Sequence, residues 1–321
     1  MINCDVQRLP WNLQSNRHAS SIRHISSSYN LEAFRGSPAI LWGRSTLERS
    51  TKPITNNFEQ LSPNLSKMPP KSKAKVAKTP AAPVAKQAPA PRPDWPALTP
   101  LSPASDLECS SLLPAQILTI PRLFTSSLSA KYVSFLRSLP LTTTPGRPKR
   151  GDAVRVNDRF QIDDPDFARH LWEQTALKEL VTAGEIDGQT LDDKQRKDLF
   201  GGEILGLNPN IRIYRYSEGQ FFDQHYDDSN NLMFPQQDGT TVPAKTTWTL
   251  LLYLTTCEGG ETVFYPDPPS RKAAPPPPIE ASPEVGLALL HRHGKECMVH
   301  EGREVTKGEK WVVRSDLCVK R

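Results

Sequence analysis

Residues 211–228 read IRIYRYSEGQFFDQHYDD. The first six, Ile211 to Tyr216, are β-branched, aromatic or long, which is strand composition, and Gly219–Gln220 supplies a turn. Then come a histidine, one spacer and two acids. In an extended strand, side chains at i and i+2 share a face, so His225 and Asp227 can address one point while Tyr226 faces away. An imidazole and a carboxylate on one face suit a divalent first-row metal, but two ligands do not close a site. The stretch is therefore either the polar rim of a turn or part of a metal centre.

Downstream the pattern stays that of strands. TWTLLLYLTT (247–256), ETVFY (261–265), VGLALLHRH (285–293) and KWVVRSDLCV (310–319) are short, β-branched and aromatic, and are separated by turn residues or prolines. Upstream the period is helical. Leu128, Tyr132, Phe135 and Leu136 recur at three- and four-residue steps, with Ser126 or Ser127 as N-cap and Pro140 as stop. DPDFARHLWEQTALKELV (164–181) reads as a second helix, capped by Asp164, with Phe167, Leu171, Trp172 and Leu177 on its buried side. Helices followed by runs of strands predict an α+β domain, a two-layer sandwich or jelly roll with supporting N-terminal helices, over residues 112–321.

The remainder is bounded by composition. Thirty-one prolines against seventeen glycines is high, and they cluster between Pro69 and Pro103 and between Pro266 and Pro283, where a packed core is not expected. Residues 1–111 read as a disordered tail. Within it, 1–67 have the Ser/Arg-rich, acid-poor composition of a mitochondrial transit peptide, or else the lysine-studded, Pro/Ala-rich segment 68–103 begins the protein at Met68. Five cysteines without a CxxC pair argue against a disulfide framework or a structural zinc and favour a reducing compartment. No run approaches the ~20 apolar residues a membrane span needs. The expected setting is intracellular, cytoplasm or nucleus, with the mitochondrion as the transit-peptide alternative. The basic tail leaves contact with nucleic acid open, although solvation explains it equally.

A third ligand must come from His291, His293 or His300, since His18 and His24 lie in the tail and His170 on a helix. His300 is followed, ten positions on, by Lys310 beside Trp311, which places an imidazole and an ammonium in adjacent strands. Two histidines and one carboxylate form the facial triad of non-haem Fe(II) oxygenases, with positions left for a bidentate cosubstrate and dioxygen. YRYSEGQFFDQHYDDS (214–229), TLLLYLTTCEGGETVFYP (249–266) and VHEGREVTKGEKW (299–311) resemble, in order and spacing, three blocks of the prolyl 4-hydroxylase type of Fe(II)/2-oxoglutarate-dependent dioxygenases. The resemblance implies a double-stranded β-helix with His225, Asp227 and His300 as iron ligands. It implies Lys310 as the partner of the 2-oxoglutarate C5 carboxylate, Tyr216 as a hydrogen-bond donor to the same cosubstrate and Thr249 as a further residue of its pocket. It also implies dioxygen as oxidant, ascorbate as accessory reductant and a protein substrate, prolyl first.

Other features are read more plainly. Asp228 is a solvent-facing acid, Lys307 the substitute for Lys310, Arg314 and Asp316 a sheet-surface pair, and His291 with His293 structural or substrate-facing. The Pro-rich insertion 266–284 is longer than a strand connection requires and reads as a solvated loop. A small-molecule hydroxylase of the same superfamily, a catalytically silent binding module and a zinc hydrolase are the alternatives; the last lacks an HExxH-like general base.

Overall fold

Alternation decides which side of each strand is buried. Along residues 310–320, Trp311, Val313 and Leu317 enter one apolar cluster, whereas Val312 enters another and Lys310 and Arg314 line a cavity. The same parity runs through residues 210–216, where Ile211 and Ile213 lie on the first side and Tyr214 and Tyr216 on the second. A sheet with two different buried faces needs a layer on each.

The computed structural model describes residues 92–144, 151 and 153–321, all within one compact unit, 83–321. In chain order its strands are β1 (Ser110–Leu113), β2 (Ile117–Ile120), β3 (Thr142–Thr143), β4 (Asp158–Asp163), β5 (Glu185–Ile186), β6 (Gln189–Thr190), β7 (Ile204–Leu207), β8 (Asn210–Tyr216) and β9 (Phe222–His225). There follow β10 (Asn231–Pro235), β11 (Thr241–Tyr253), β12 (Glu258–Gly259), β13 (Thr262–Tyr265), β14 (Ile279–Ala281), β15 (Ala288–Arg292), β16 (Val299–Gly302), β17 (Val305–Lys307) and β18 (Lys310–Lys320). The large sheet runs β1-β2-β15-β11-β18-β8-β4-β3, with β10 on β11 and β7 on β18; the small sheet runs β14-β13-β16-β9. All pairings between these strands are antiparallel. This is the expected jelly roll.

Four helices, α1 (Ser126–Leu136), α2 (Pro165–Gln174), α3 (Leu177–Thr182) and α4 (Asp193–Phe200), complete the domain. Tyr132, Leu171, Leu177 and Phe200 from these helices join Ile213, Trp248, Leu250 and Trp311 of the large sheet in the larger cluster. The inner face meets the small sheet through Tyr214, Tyr253 and Leu289 on one side and Phe264 and Ala281 on the other. The site lies in this second layer.

Several expectations are corrected. The tail does not extend to residue 111 among the described residues: Trp95 stacks on Phe167 at 4.0 Å, its Nε1 donates to Asp164 at 2.9 Å, and Tyr132 donates to the Pro96 carbonyl at 2.7 Å. These aromatic anchors outweigh the local proline content. The N-cap of α1 is Thr125 rather than Ser126 or Ser127, its side chain accepting from Leu128 N–H. The predicted second helix is divided at Thr175, whose backbone is extended and whose hydroxyl donates to the Leu171 carbonyl. Asp164 caps α2 as expected. The Pro-rich insertion is not all loop, because Ile279–Ala281 returns as the edge strand β14 against β13. The transit-like reading of 1–67, the start at Met68 and the stretch 68–91 lie outside the described residues.

Candidate active site

β9 and β16 are neighbours in the small sheet, and their register sets His225 directly opposite His300. Asp227 follows two residues after β9 ends. These three offer ligand atoms that all lie within 4.8 Å of one another. His225 Nε2 is 3.9 Å from Asp227 Oδ1, and His300 Nε2 is 3.7 Å from Asp227 Oδ2. Both rings are oriented from behind. His225 Nδ1 lies 2.8 Å from the Asp223 carbonyl and His300 Nδ1 lies 3.0 Å from the Met298 carbonyl. A carbonyl only accepts, so each Nδ1 donates and each Nε2 is turned toward Asp227, the arrangement that prepares histidine for a metal.

Asp227 is buried and held by three groups. Thr249 Oγ1 donates to Oδ2 at 2.9 Å, Arg314 Nη2 stands 3.0 Å from the same oxygen, and the Asp227 N–H donates to Cys297 Sγ at 3.2 Å. Burial alone would raise the Asp227 pKa, but Arg314, followed by His300 and His291, holds it well below the usual carboxylate range. Burial and then the neighbouring His300 push His225 down to about 4. At His300 burial is outweighed by the facing Asp227 carboxylate, with Cys297 and the Met298 carbonyl adding to it, which brings it up to about 9. A metal ion bound between these rings requires each Nε2 to be free of a proton.

The other end of the same cavity is built on β18. Lys310 is 5 % exposed and opposite Tyr216 in register; its Nζ donates to the Gly260 carbonyl at 2.7 Å and lies 3.4 Å from Thr262 Oγ1. The rings of Tyr216 and Tyr253 flank it at 5.5 and 5.3 Å. No carboxylate among the described residues pairs with it, and burial pushes it down to about 8. A buried ammonium without an acid is costly unless an anion arrives. Gly260 reaches it because the GGET turn takes positive φ at Gly259 and Gly260, and a Cβ on Gly259 would meet the Glu304 carbonyl at 2.3 Å. Tyr214, Phe222, Leu251 and Val312 line the cavity between its two ends.

Some assignments move. Thr249 is absent from the cavity wall and instead braces Asp227, while Leu251 and Thr262 line the pocket. Arg314 and Asp316 are not on a sheet surface: Asp316 is 1 % exposed, and Arg314 bridges Asp227 to Asp316. Strand parity carried that signal, because Arg314 and Lys310 differ by an even number and must share a face. Asp228 is exposed, as expected, and Lys307 is exposed and paired with Glu258. His293 is structural, bonded to the hydroxyls of Thr246 and Thr249; His291 faces the cavity. A wider groove of about 780 Å³ between α2, β7 and β10 holds none of these groups.

Two imidazoles and a carboxylate in a jelly roll are the donor set of a non-haem iron oxygenase, and a buried cation at the far end of the cavity suits a dicarboxylate cosubstrate. The chain matches, over residues 211–315, the family model of the 2OG-Fe(II) oxygenase superfamily. It is an oxidoreductase that uses Fe(II), 2-oxoglutarate and dioxygen. No curated protein matches it. Among solved structures it is similar to a viral collagen prolyl hydroxylase from Paramecium Bursaria Chlorella virus-1 (16 % identity, 64 % of this chain and 96 % of that one, TM-score 0.36). It is similar also to a Pseudomonas putida prolyl-4-hydroxylase (14 %, 65 % and 96 %, 0.39) and to a Trichoplax adhaerens prolyl hydroxylase in complex with a hypoxia inducible factor peptide fragment (17 %, 64 % and 84 %, 0.39).

Proposed function

We propose that this oxygenase hydroxylates a residue of a protein, proline first, and that His225, Asp227 and His300 hold its iron. The observation that carries the iron assignment is the convergence of two backbone-oriented imidazoles on one braced carboxylate. When bound, Fe(II) with 2-oxoglutarate supplies the oxidising chemistry, releasing succinate and CO2. The chain's own groups orient and shield. Arg314 and Thr249 fix one oxygen of Asp227 and leave the other free toward His225. Lys310, with Thr262 and Tyr216 beside it, receives the distal carboxylate and so sets which way the cosubstrate lies. Leu251 and Val312 present apolar wall between the two ends and exclude water.

The protein substrate is read from the resemblance of the three sequence blocks to prolyl 4-hydroxylases, and ascorbate enters as accessory reductant on the same resemblance. Cys109, Cys257, Cys297 and Cys318 are free thiols, which supports an intracellular setting. Succinate release from 2-oxoglutarate, measured with Fe(II) and ascorbate, tests the site; unchanged turnover in His225→Ala would refute the ligand assignment. Trapping partners with that variant, followed by mass spectrometry for the gain of one oxygen on proline, tests the substrate.

A further inference from the structure

β4 and β8 pair with Arg159 directly opposite Tyr214, and residues opposite one another in an antiparallel pair share a face. Tyr214 is on the face that lines the candidate active site, so Arg159 is on that face too. Arg155 is bridged to Phe222, which lines the same cavity and stacks on His225 at 3.6 Å. The Arg155 guanidinium carbon lies 5.0 Å from the Phe222 ring and 5.9 Å from the Tyr214 ring, and that of Arg159 lies 5.9 Å from Tyr214. Two half-buried cations thus share one ring of the cavity wall. Among the described residues neither has an acidic partner: Arg155 donates no side-chain hydrogen bond, and Arg159 donates only to Gln161. Arg212 and Arg314, on the same face, are by contrast matched by Asp316 and Asp227. Burial, with the charges of Arg155 and Arg212 adding to it, lowers the Arg159 pKa. A ring beneath a guanidinium holds it in place but leaves its N–H donors free, and like charges gathered at one ring repel until an anion joins them.

We propose that Arg155 and Arg159 form a subsite for a carboxylate of the protein substrate, an Asp or Glu side chain close in sequence to the hydroxylated residue. The proposal rests on the reading of this chain as a protein hydroxylase. Each guanidinium presents a planar fork of donors that matches a carboxylate, and partial shielding from water strengthens the pair. Arg155 and His225 contact the same Phe222 ring, so the subsite adjoins the metal ligands. An extended peptide rises roughly 3.3 Å per residue, which sets the acid about three residues or fewer from the target. The division of charge is then simple: Lys310 receives the cosubstrate's distal carboxylate, and the arginine pair receives the substrate's. Peptides with Lys or Arg at that position are repelled. A polynucleotide would need a row of phosphate contacts, whereas the neighbouring Arg212 and Arg215 are occupied by Asp316 and Asp158.

The test immobilises the full chain with Mn(II) and 2-oxoglutarate and offers it a synthetic library of short peptides, each with one central proline between randomised residues; retained peptides are read by mass spectrometry. The wild type is expected to retain peptides carrying Asp or Glu within about three residues of the proline about tenfold better than their Asn or Gln counterparts, a preference that fades as salt rises. Arg155→Gln/Arg159→Gln is expected to lose the preference, and Arg155→Glu/Arg159→Glu to reverse it toward Lys and Arg. Misfolding cannot produce a reversal; melting temperatures identify a variant that fails to fold, and the two single substitutions then replace the double. Equal retention of acidic and amide peptides by the wild type, a preference that survives in the Gln variant, or tighter retention of a single-stranded oligonucleotide that is lost in the same variants would overturn the proposal. When the library is turned over with Fe(II) and dioxygen, the absence of a one-oxygen gain on every retained peptide would instead overturn the parent reading while the charge preference stands, so the two failures are distinct.

Discussion

Asp227 and Asp228 are the same residue type one position apart, yet the fold gives them opposite environments. Asp227 is turned inward against Arg314 and Thr249, while Asp228 is exposed. Asp227→Ala is expected to abolish stoichiometric Fe(II) binding and Asp228→Ala to leave it unchanged, as read by metal content after anaerobic loading. Lys310 supplies a pH signature. Its folded pKa of about 8 is below the ordinary 10.5, so its charge is complete below that value and is lost as pH rises through it. Affinity for 2-oxoglutarate, measured with Mn(II) in place of iron, should fall across the same window, displaced upward by the bound carboxylate. In Lys310→Arg, whose guanidinium stays charged, the fall should disappear. For stability the sign is reversed: between about 8 and 10.5 the unfolded chain holds the extra proton, so folding becomes more favourable as pH rises there.

Among elements, the strands were the most legible in the sequence because a period of two survives any packing. β8, β11, β13, β15 and β18 lie where the apolar and aromatic runs placed them. The helices were legible as apolar faces but not at their ends, where a single hydroxyl decides: Thr125 starts α1 and Thr175 divides α2 from α3. The segment from Arg92 to Cys109 was read as tail because proline hides burial. Trp95, Leu98 and Leu107 nonetheless pack into the helical layer. A chain beginning at residue 112 should therefore melt roughly 10 °C below one beginning at residue 92, since losing a packed tryptophan costs about 3 kcal/mol or more and leucines add to it. Equal melting curves by circular dichroism would show that the segment does not support the fold.

For the whole molecule, the jelly roll brings together residues far apart in sequence: His225 meets His300, and Lys310 meets Tyr216. The Pro-rich insertion stands apart from that closure. Residues 267–278 are exposed but for Ala273, and they connect β13 to its neighbour β14. Replacing them with a short Gly/Ser turn should leave Fe(II) and 2-oxoglutarate binding unchanged and alter the melting temperature little, because loop length enters stability only logarithmically. A large loss of cosubstrate affinity in that variant, read by calorimetry, would mean that the loop contributes to the cavity.

By itself the sequence determined the strands β8, β11, β13, β15 and β18, the His225/Asp227/His300 spacing and the lysine ten residues beyond it, because these follow from local periodicity and from side-chain chemistry. Only the tertiary structure decided which neighbours Asp227 has. Thr249 left the pocket to brace it, Arg314 came in from an expected surface, and His291 turned its Nε2 toward the same carboxylate. Those outcomes depend on which strands pair and in which register, and register is set by the closure of two sheets around one core rather than by any single stretch of chain.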